Sequence, residues 1–188
     1  MTRRGLVTAI MLVLVGGAGA YLALRSADGG AVGGGPLGPP RDAGYFSVGG
    51  ATDPGRAMSF GLLVVENGSE RTATLEAVEL ARATAGMRIV GSYAQPVRAG
   101  PAVGFVNGFP PANATRARSA VAGYRLAPGT EVRIVVGLTV ERSGRFVSRA
   151  LRLSYRVGDD RYRADWPLGV RLCAPRRQYF GHCRAPTG

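Results

Sequence analysis

The chain has 188 residues and a formal net charge of +12, from 24 basic residues, all of them arginine, against 12 acidic ones. Lysine chemistry is excluded because the chain has no lysine. With two cysteines and one histidine, a zinc site built from those residue types lacks a fourth ligand. Arginine as the sole cation is also what GC-rich coding bias produces, so net charge alone does not establish an anionic partner.

The first 24 residues predict the compartment. Residues 5–24 carry no charge and are flanked by Arg3, Arg4 and Arg25. Twenty helical residues span about 30 Å, the thickness of a bilayer core, which predicts a transmembrane signal anchor. The two leading arginines favour a cytoplasmic location for residues 1–4. We therefore expect a single-pass protein of the cell membrane whose remaining chain is extracytoplasmic.

A cleaved signal peptide is the alternative to an anchor. Ala18 and Ala20 flank a glycine in a small-residue pattern typical of a cleavage site, with cleavage after Ala20. The apolar run continues past that site to Leu24, which favours the anchor. The product of cleavage would be a secreted or periplasmic protein that binds an anionic ligand or polymer through its arginine-rich C-terminal half.

Residues 25–44 are dominated by glycine and proline. Such a segment has little apolar surface to bury, so it predicts a flexible linker. Residues 45–172 then predict one β-rich domain. Residues 58–66 form an apolar strand, Asn67 and Gly68 a hairpin turn, and residues 72–80 the returning strand. A helix over residues 66–87 is the local alternative.

The strands are clearest near the end of the domain. Residues 87–93 and 121–126 are short candidates, and most of residues 94–119, rich in proline, is predicted as a long loop. Alternating apolar residues predict strands over residues 131–140, 149–157 and 161–166. About seven short strands at this spacing predict an all-β fold, an antiparallel two-sheet sandwich that is immunoglobulin-like in architecture. This architecture does not itself indicate a function.

The cysteines lie in the C-terminal tail, residues 173–188. An exported pair such as Cys173 and Cys183 predicts a disulfide, which would close a short loop in that tail. Free thiols, or a metal site that adds His182, are the alternatives. Because His182 would be the single histidine available to a catalytic set, we expect a non-catalytic protein with no cofactor and no metal site.

The positive charge is uneven along the chain. Residues 45–115 hold five arginines and five acidic residues, whereas residues 116–188 hold fifteen arginines and five acidic residues. Alternation places four arginines of the last predicted hairpin on one solvated face: Arg152, Arg156, Arg161 and Arg163. Guanidinium groups match phosphates and carboxylates in a bidentate manner.

Two interpretations of this face follow. It is either an ordinary solvated sheet face or a surface for an anionic lipid, an anionic polymer or an acidic envelope protein. Nucleic acid is disfavoured because the chain shows no recognition helix or array of stacking aromatics. We therefore expect an interaction or structural module of the cell envelope.

Overall fold

The structure, a computed structural model, describes residues 31–32, 35–38, 46–99, 103–114 and 116–178. Its strands, in chain order, are β1 (Ala31–Val32), β2 (Leu37–Gly38), β3 (Phe46–Ala51), β4 (Met58–Asn67), β5 (Ala73–Ala83), β6 (Met87–Pro96), β7 (Val103–Asn107), β8 (Ser119–Ala120), β9 (Arg125–Leu126), β10 (Glu131–Val140), β11 (Gly144–Val157), β12 (Asp160–Trp166) and β13 (Leu168–Ala174). Two 3-10 turns, Val97–Ala99 and Arg176–Gln178, are also present. The predicted anchor, residues 5–24, lies outside the described residues, and none of the described residues belongs to a helix able to cross a membrane.

The strands form two sheets around one apolar core, which confirms the predicted β-sandwich. Sheet I contains β1, β3, β5, β9, β11, β12 and β13, and sheet II contains β2, β4, β6, β7, β8 and β10. Side chains from both sheets meet between them, among them Phe60 and Ile134 from sheet II and Leu153 and Leu172 from sheet I. Alternation along each strand produces this arrangement, because it turns every second side chain inward.

The long strand β11 organises sheet I. It pairs with β5 over residues 148–157, with β12 over residues 151–157 and with β13 over residues 144–148. All three pairings are antiparallel. From Leu151 onward, alternate β11 residues are buried in the core and the intervening ones face outward.

The prediction of a wholly antiparallel sandwich is wrong at one edge. Strand β3 pairs with β13 in parallel, with Val48 opposite Val170. Neither strand was predicted, because neither alternates clearly in polarity. Six of the seven β13 residues are buried, the pattern of a strand covered on both faces. Cys173 therefore lies inside the sandwich, and β13 crosses the predicted boundary between the domain and residues 173–188.

The predicted flexible linker, residues 25–44, contains an ordered strand. Leu37 in β2 is buried and pairs with Asn67 in β4. Its N–H donates a 3.2 Å hydrogen bond to the buried Tyr155 hydroxyl. A Cβ at Gly35 would overlap that hydroxyl, so glycine permits the close approach here. The prediction of a coil with nothing to bury is wrong for residues 35–38.

The turn after β4 also differs from the prediction. Strands β4 and β5 belong to different sheets, so Asn67 and Gly68 form a corner between sheets and not a hairpin. The buried Asn67 amide holds this corner by donating to the carbonyls of Arg71 and Leu126, each at 2.9 Å. Since β5 occupies Ala73–Ala83, the alternative of a helix over residues 66–87 is wrong.

The predicted loop over residues 94–119 contains β7 and a packed cover on sheet II. Gly91 and Gly137 are cross-strand partners, and the Phe109 ring fills the space that their missing side chains leave. Phe109 also stacks on Tyr93, with ring centroids 5.8 Å apart. The ring covers β10 at Gly137, and every residue from Val132 to Val140 is buried, although alternation predicts one solvated face.

The Tyr155 hydroxyl anchors β2, so we expect Tyr155→Phe to lower the free energy of unfolding. The substitution leaves the buried Leu37 N–H without an acceptor, which costs about 1–3 kcal/mol. Burial raises the pKa of Tyr155 to about 12, above the usual value of about 10. The neutral phenol therefore stabilises the fold below pH 10, and this contribution is lost as the pH rises toward 12. Urea unfolding followed by Trp166 fluorescence at several pH values measures both effects. An unfolding midpoint of Tyr155→Phe equal to that of the unmodified chain would contradict a stabilising role of the Tyr155–Leu37 hydrogen bond.

The Phe109 cover predicts a second stability effect. Gly91→Ala would place a Cβ against the Phe109 ring, and we expect a loss of about 1–3 kcal/mol from overpacking. Gly104→Ala is the matched control, since a Cβ there meets no atom within 4 Å. Urea unfolding of both variants measures the difference. Equal losses of unfolding free energy would show that the Phe109 ring does not pack against Gly91.

Candidate functional site

The structure places the four predicted arginines on the outer face of sheet I. In the β11–β12 register, Arg152 lies opposite Asp165, Ser154 opposite Arg163, and Arg156 opposite Arg161. Directly opposed residues of an antiparallel pair point to the same side of the sheet. Side chains on the other side, such as Leu153 and Tyr155, are fully buried in the core.

The register adds a fifth arginine that sequence analysis missed. Thr74 in β5 lies opposite Arg156 in β11 and also opposite Arg125 in β9. Arg161, Arg156, Thr74 and Arg125 therefore form one line across four strands. We call Arg125, Arg156 and Arg161 the arginine row. All three side chains are exposed.

The arginines of this face differ in their acidic partners. Arg152 donates two hydrogen bonds to Asp165, from Nε at 2.7 Å and from Nη2 at 3.1 Å. This hydrogen bond raises the pKa of Arg152 and lowers that of Asp165. Arg152 is therefore committed to an internal ion pair and is a weak candidate for a partner contact.

The positive charge of the arginine row is less neutralised by acidic side chains than that of Arg152. Arg161 Nε lies 3.8 Å from Glu76 Oε1, and its side chain is 80% exposed, so this pair contributes little. Within the part of the chain that the structure describes, Arg125, Arg156 and Arg163 form no ion pair within 4.0 Å. Like charges directly opposed on neighbouring strands, as at Arg156 and Arg161, destabilise a sheet.

No sequence signal would have found Arg125. It lies in the two-residue strand β9, too short to show a period of two. Its position follows from backbone pairing with Thr74 and from the turn before it, where Gly123 takes a positive φ of 82°. Both depend on the tertiary structure.

Of the predicted disulfide, the structure describes one cysteine. Cys173 is 3% exposed, lies in β13 opposite Ala51 and Arg145, and is not a free thiol. Cys183 and His182 lie outside the described residues. The bridge between Cys173 and Cys183 therefore stays a prediction.

Comparison with known proteins gives no family. No family model and no curated protein matches the chain. Among solved structures, similar chains include the Vibrio cholerae VesB protease, with a TM-score of 0.36 and 11% identity, covering 68% of this chain and 30% of that one. Another is the ASH/PapD-like domain 7 of human CEP192, with a TM-score of 0.33 and 9% identity, covering 68% of this chain and 79% of that domain. The chain thus spans about a third of the protease.

The Arg152–Asp165 pair predicts a measurable coupling. We expect a double-mutant cycle of Arg152→Gln and Asp165→Asn to give about 0.5–1 kcal/mol, the upper part of the range for exposed pairs, because the geometry is bidentate. Since the pKa of Asp165 is lowered, the coupling should be present at neutral pH and disappear as acid protonates the carboxylate. Urea unfolding at pH 7 and at successively lower pH values measures it; a coupling of zero at pH 7 would contradict the pair.

Proposed function

We propose that this chain is a membrane-anchored interaction module of the cell envelope, whose β-sandwich binds an anionic partner through the arginine row. The anchor is the uncharged segment over residues 5–24. The single observation that supports the binding role is the alignment of Arg125, Arg156 and Arg161 across neighbouring strands. The role is non-catalytic.

The energetics of the row support a partner of opposite charge. An arginine directly opposite another arginine lowers the stability of the isolated sheet, and acidic groups from a partner would remove that cost. Exposed guanidinium groups also keep most of their donors available, because each has five N–H groups in a planar fork. The Arg156 guanidinium donates none of them in a side-chain hydrogen bond within the described residues.

The spacing of the row suits an extended partner. Neighbouring strands lie about 4.8 Å apart, so a line across β12, β11, β5 and β9 is about 14 Å long. Arg161 and Arg156 occupy one end of this line and Arg125 the other. An acidic polymer or an acidic protein segment can contact all three guanidinium groups, whereas a single small anion cannot.

Binding of soluble polyanions tests the proposal. Full-length chain in neutral detergent is titrated into fluorescently labelled polyglutamate or polyphosphate, and anisotropy is followed at rising salt. We expect saturable binding that weakens with salt. The variant Arg156→Gln/Arg161→Gln should bind about tenfold more weakly, because each exposed contact contributes about 0.5–1 kcal/mol.

The control removes the same charge elsewhere. Arg98 and Arg142 are exposed and lie outside the outer face of sheet I, so Arg98→Gln/Arg142→Gln should bind almost as the unmodified chain does. Equal losses in the two double variants would show that net charge, and not the row, determines binding. The absence of any salt-sensitive binding would refute the proposal.

A further inference from the structure

A second basic feature lies at the end of the sandwich where β3, β7 and β13 finish. A cavity of about 370 Å³ opens there, lined by Thr52, Asp53, Arg56, Ala57, Asn107, Gly108 and Arg176. A neighbouring concavity shares Asp53 and Arg176 and adds Pro175 and Arg177. We call the two together the polar-end pocket. Its three arginines and one aspartate give it a net charge of +2.

The pocket is distinct from the arginine row. Arg156 lies at the C-terminal end of β11, whereas Gly144 at the N-terminal end of β11 pairs with Ala174, directly before the pocket residues. Gly144 and Arg156 are twelve residues apart along this strand, a distance on the order of 40 Å. A ligand in the pocket therefore cannot contact the row.

Arg176 is held in place by neutral and backbone contacts. With the Asn107 amide oriented so that its oxygen faces the guanidinium, Oδ1 accepts hydrogen bonds from Nη1 and Nη2, both at 3.2 Å. The Arg176 backbone N–H donates to Asp53 Oδ1 at 3.1 Å. Asn107 fixes the orientation of the guanidinium without neutralising it, and the remaining side-chain donors stay available.

The loop that presents Arg56 is equally well fixed. The carbonyl of Arg56 accepts hydrogen bonds from the hydroxyls of Thr52 at 3.1 Å and Thr139 at 3.2 Å. The Gly55 N–H donates to the carbonyl of Val140 at 2.8 Å. The loop backbone is thus tied to Thr52, which directly follows β3, and to β10, while the Arg56 side chain is exposed. Such preorganisation lowers the entropic cost of binding.

We infer that the polar-end pocket binds a dianionic phosphate group through Arg56, Arg176 and Arg177. Guanidinium groups bind phosphate oxygens in a bidentate manner. The net charge of +2 matches a phosphate monoester or free phosphate, which carries about −1.5 to −2 at pH 7. A carboxylate or a phosphodiester carries one negative charge and would leave part of the pocket charge uncompensated.

Asp53 makes the inference testable in two directions. Arg176→Gln removes a ligand-binding charge, and we expect inorganic phosphate to bind about tenfold more weakly. Asp53→Asn removes the opposing charge, and the asparagine oxygen can still accept the Arg176 backbone N–H. We therefore expect phosphate to bind more tightly in that variant. A residue with only a structural role would not give opposite shifts.

The experiment is calorimetric titration of the full-length chain in neutral detergent at low salt. The probes are inorganic phosphate, glycerol 1-phosphate as a monoester, and glycerophosphoglycerol as a phosphodiester that represents a lipid headgroup. We expect the first two to bind and the third to bind more weakly. If glycerol 1-phosphate binds more tightly than inorganic phosphate, the natural ligand is a larger phosphorylated molecule. If inorganic phosphate binds more tightly, the natural ligand is free phosphate.

Two control variants separate this inference from the proposed function. Arg98→Gln removes an exposed charge beyond Pro96, which pairs with Val132 at the end of β10 opposite to Val140 and the pocket, and Arg156→Gln/Arg161→Gln disrupts the row; neither should change phosphate binding. Loss of phosphate binding in either control, or no difference between Arg176→Gln and Asp53→Asn, would overturn the inference. So would a phosphodiester that binds as tightly as phosphate, or no saturable binding of any probe.

Discussion

The register of β11 is the constraint on which the rest of the structure depends. Leu151, Leu153, Tyr155 and Val157 are almost completely buried, so the residues between them must face outward. Because side chains alternate along a strand, a slip of one residue would exchange these two sets and bury arginines in the core. The apolar set therefore fixes both the packing of β11 in the sandwich and the outward position of Arg152 and Arg156.

Sequence patterns predicted the strands that alternate and missed those that do not. Residues 131–140 match β10, and the predicted strand over residues 161–166 falls within β12. Strand β13 was missed because both of its faces are buried, and β7 because Phe105 and its neighbours lie among prolines and glycines. Leu37 was missed for a different reason, since one leucine in a segment of glycine and proline has no local pattern, and its pairing with β4 and its hydrogen bond to Tyr155 depend on the tertiary structure.

The candidate sites likewise contain residues that sequence patterns predicted and residues that only the tertiary structure brings together. The four arginines on β11 and β12 followed from alternation alone, whereas Arg125 joins them only through backbone pairing with Thr74. The polar-end pocket brings together Arg56 and Arg176, which are far apart in sequence. Such a juxtaposition follows from the parallel pairing of β3 with β13, which no pattern in either strand indicates. Contacts of this kind require the tertiary structure.

The arginine row depends on the pairing of Arg156, and backbone NOE spectroscopy on labelled protein tests that pairing most directly. The register places Arg156 opposite Arg161 on one side and Thr74 on the other, so cross-strand NOEs should connect these residues. NOEs from Arg156 to Asp160 or Tyr162 instead would reveal a register shifted by one residue, which would disperse the arginine row and contradict the account.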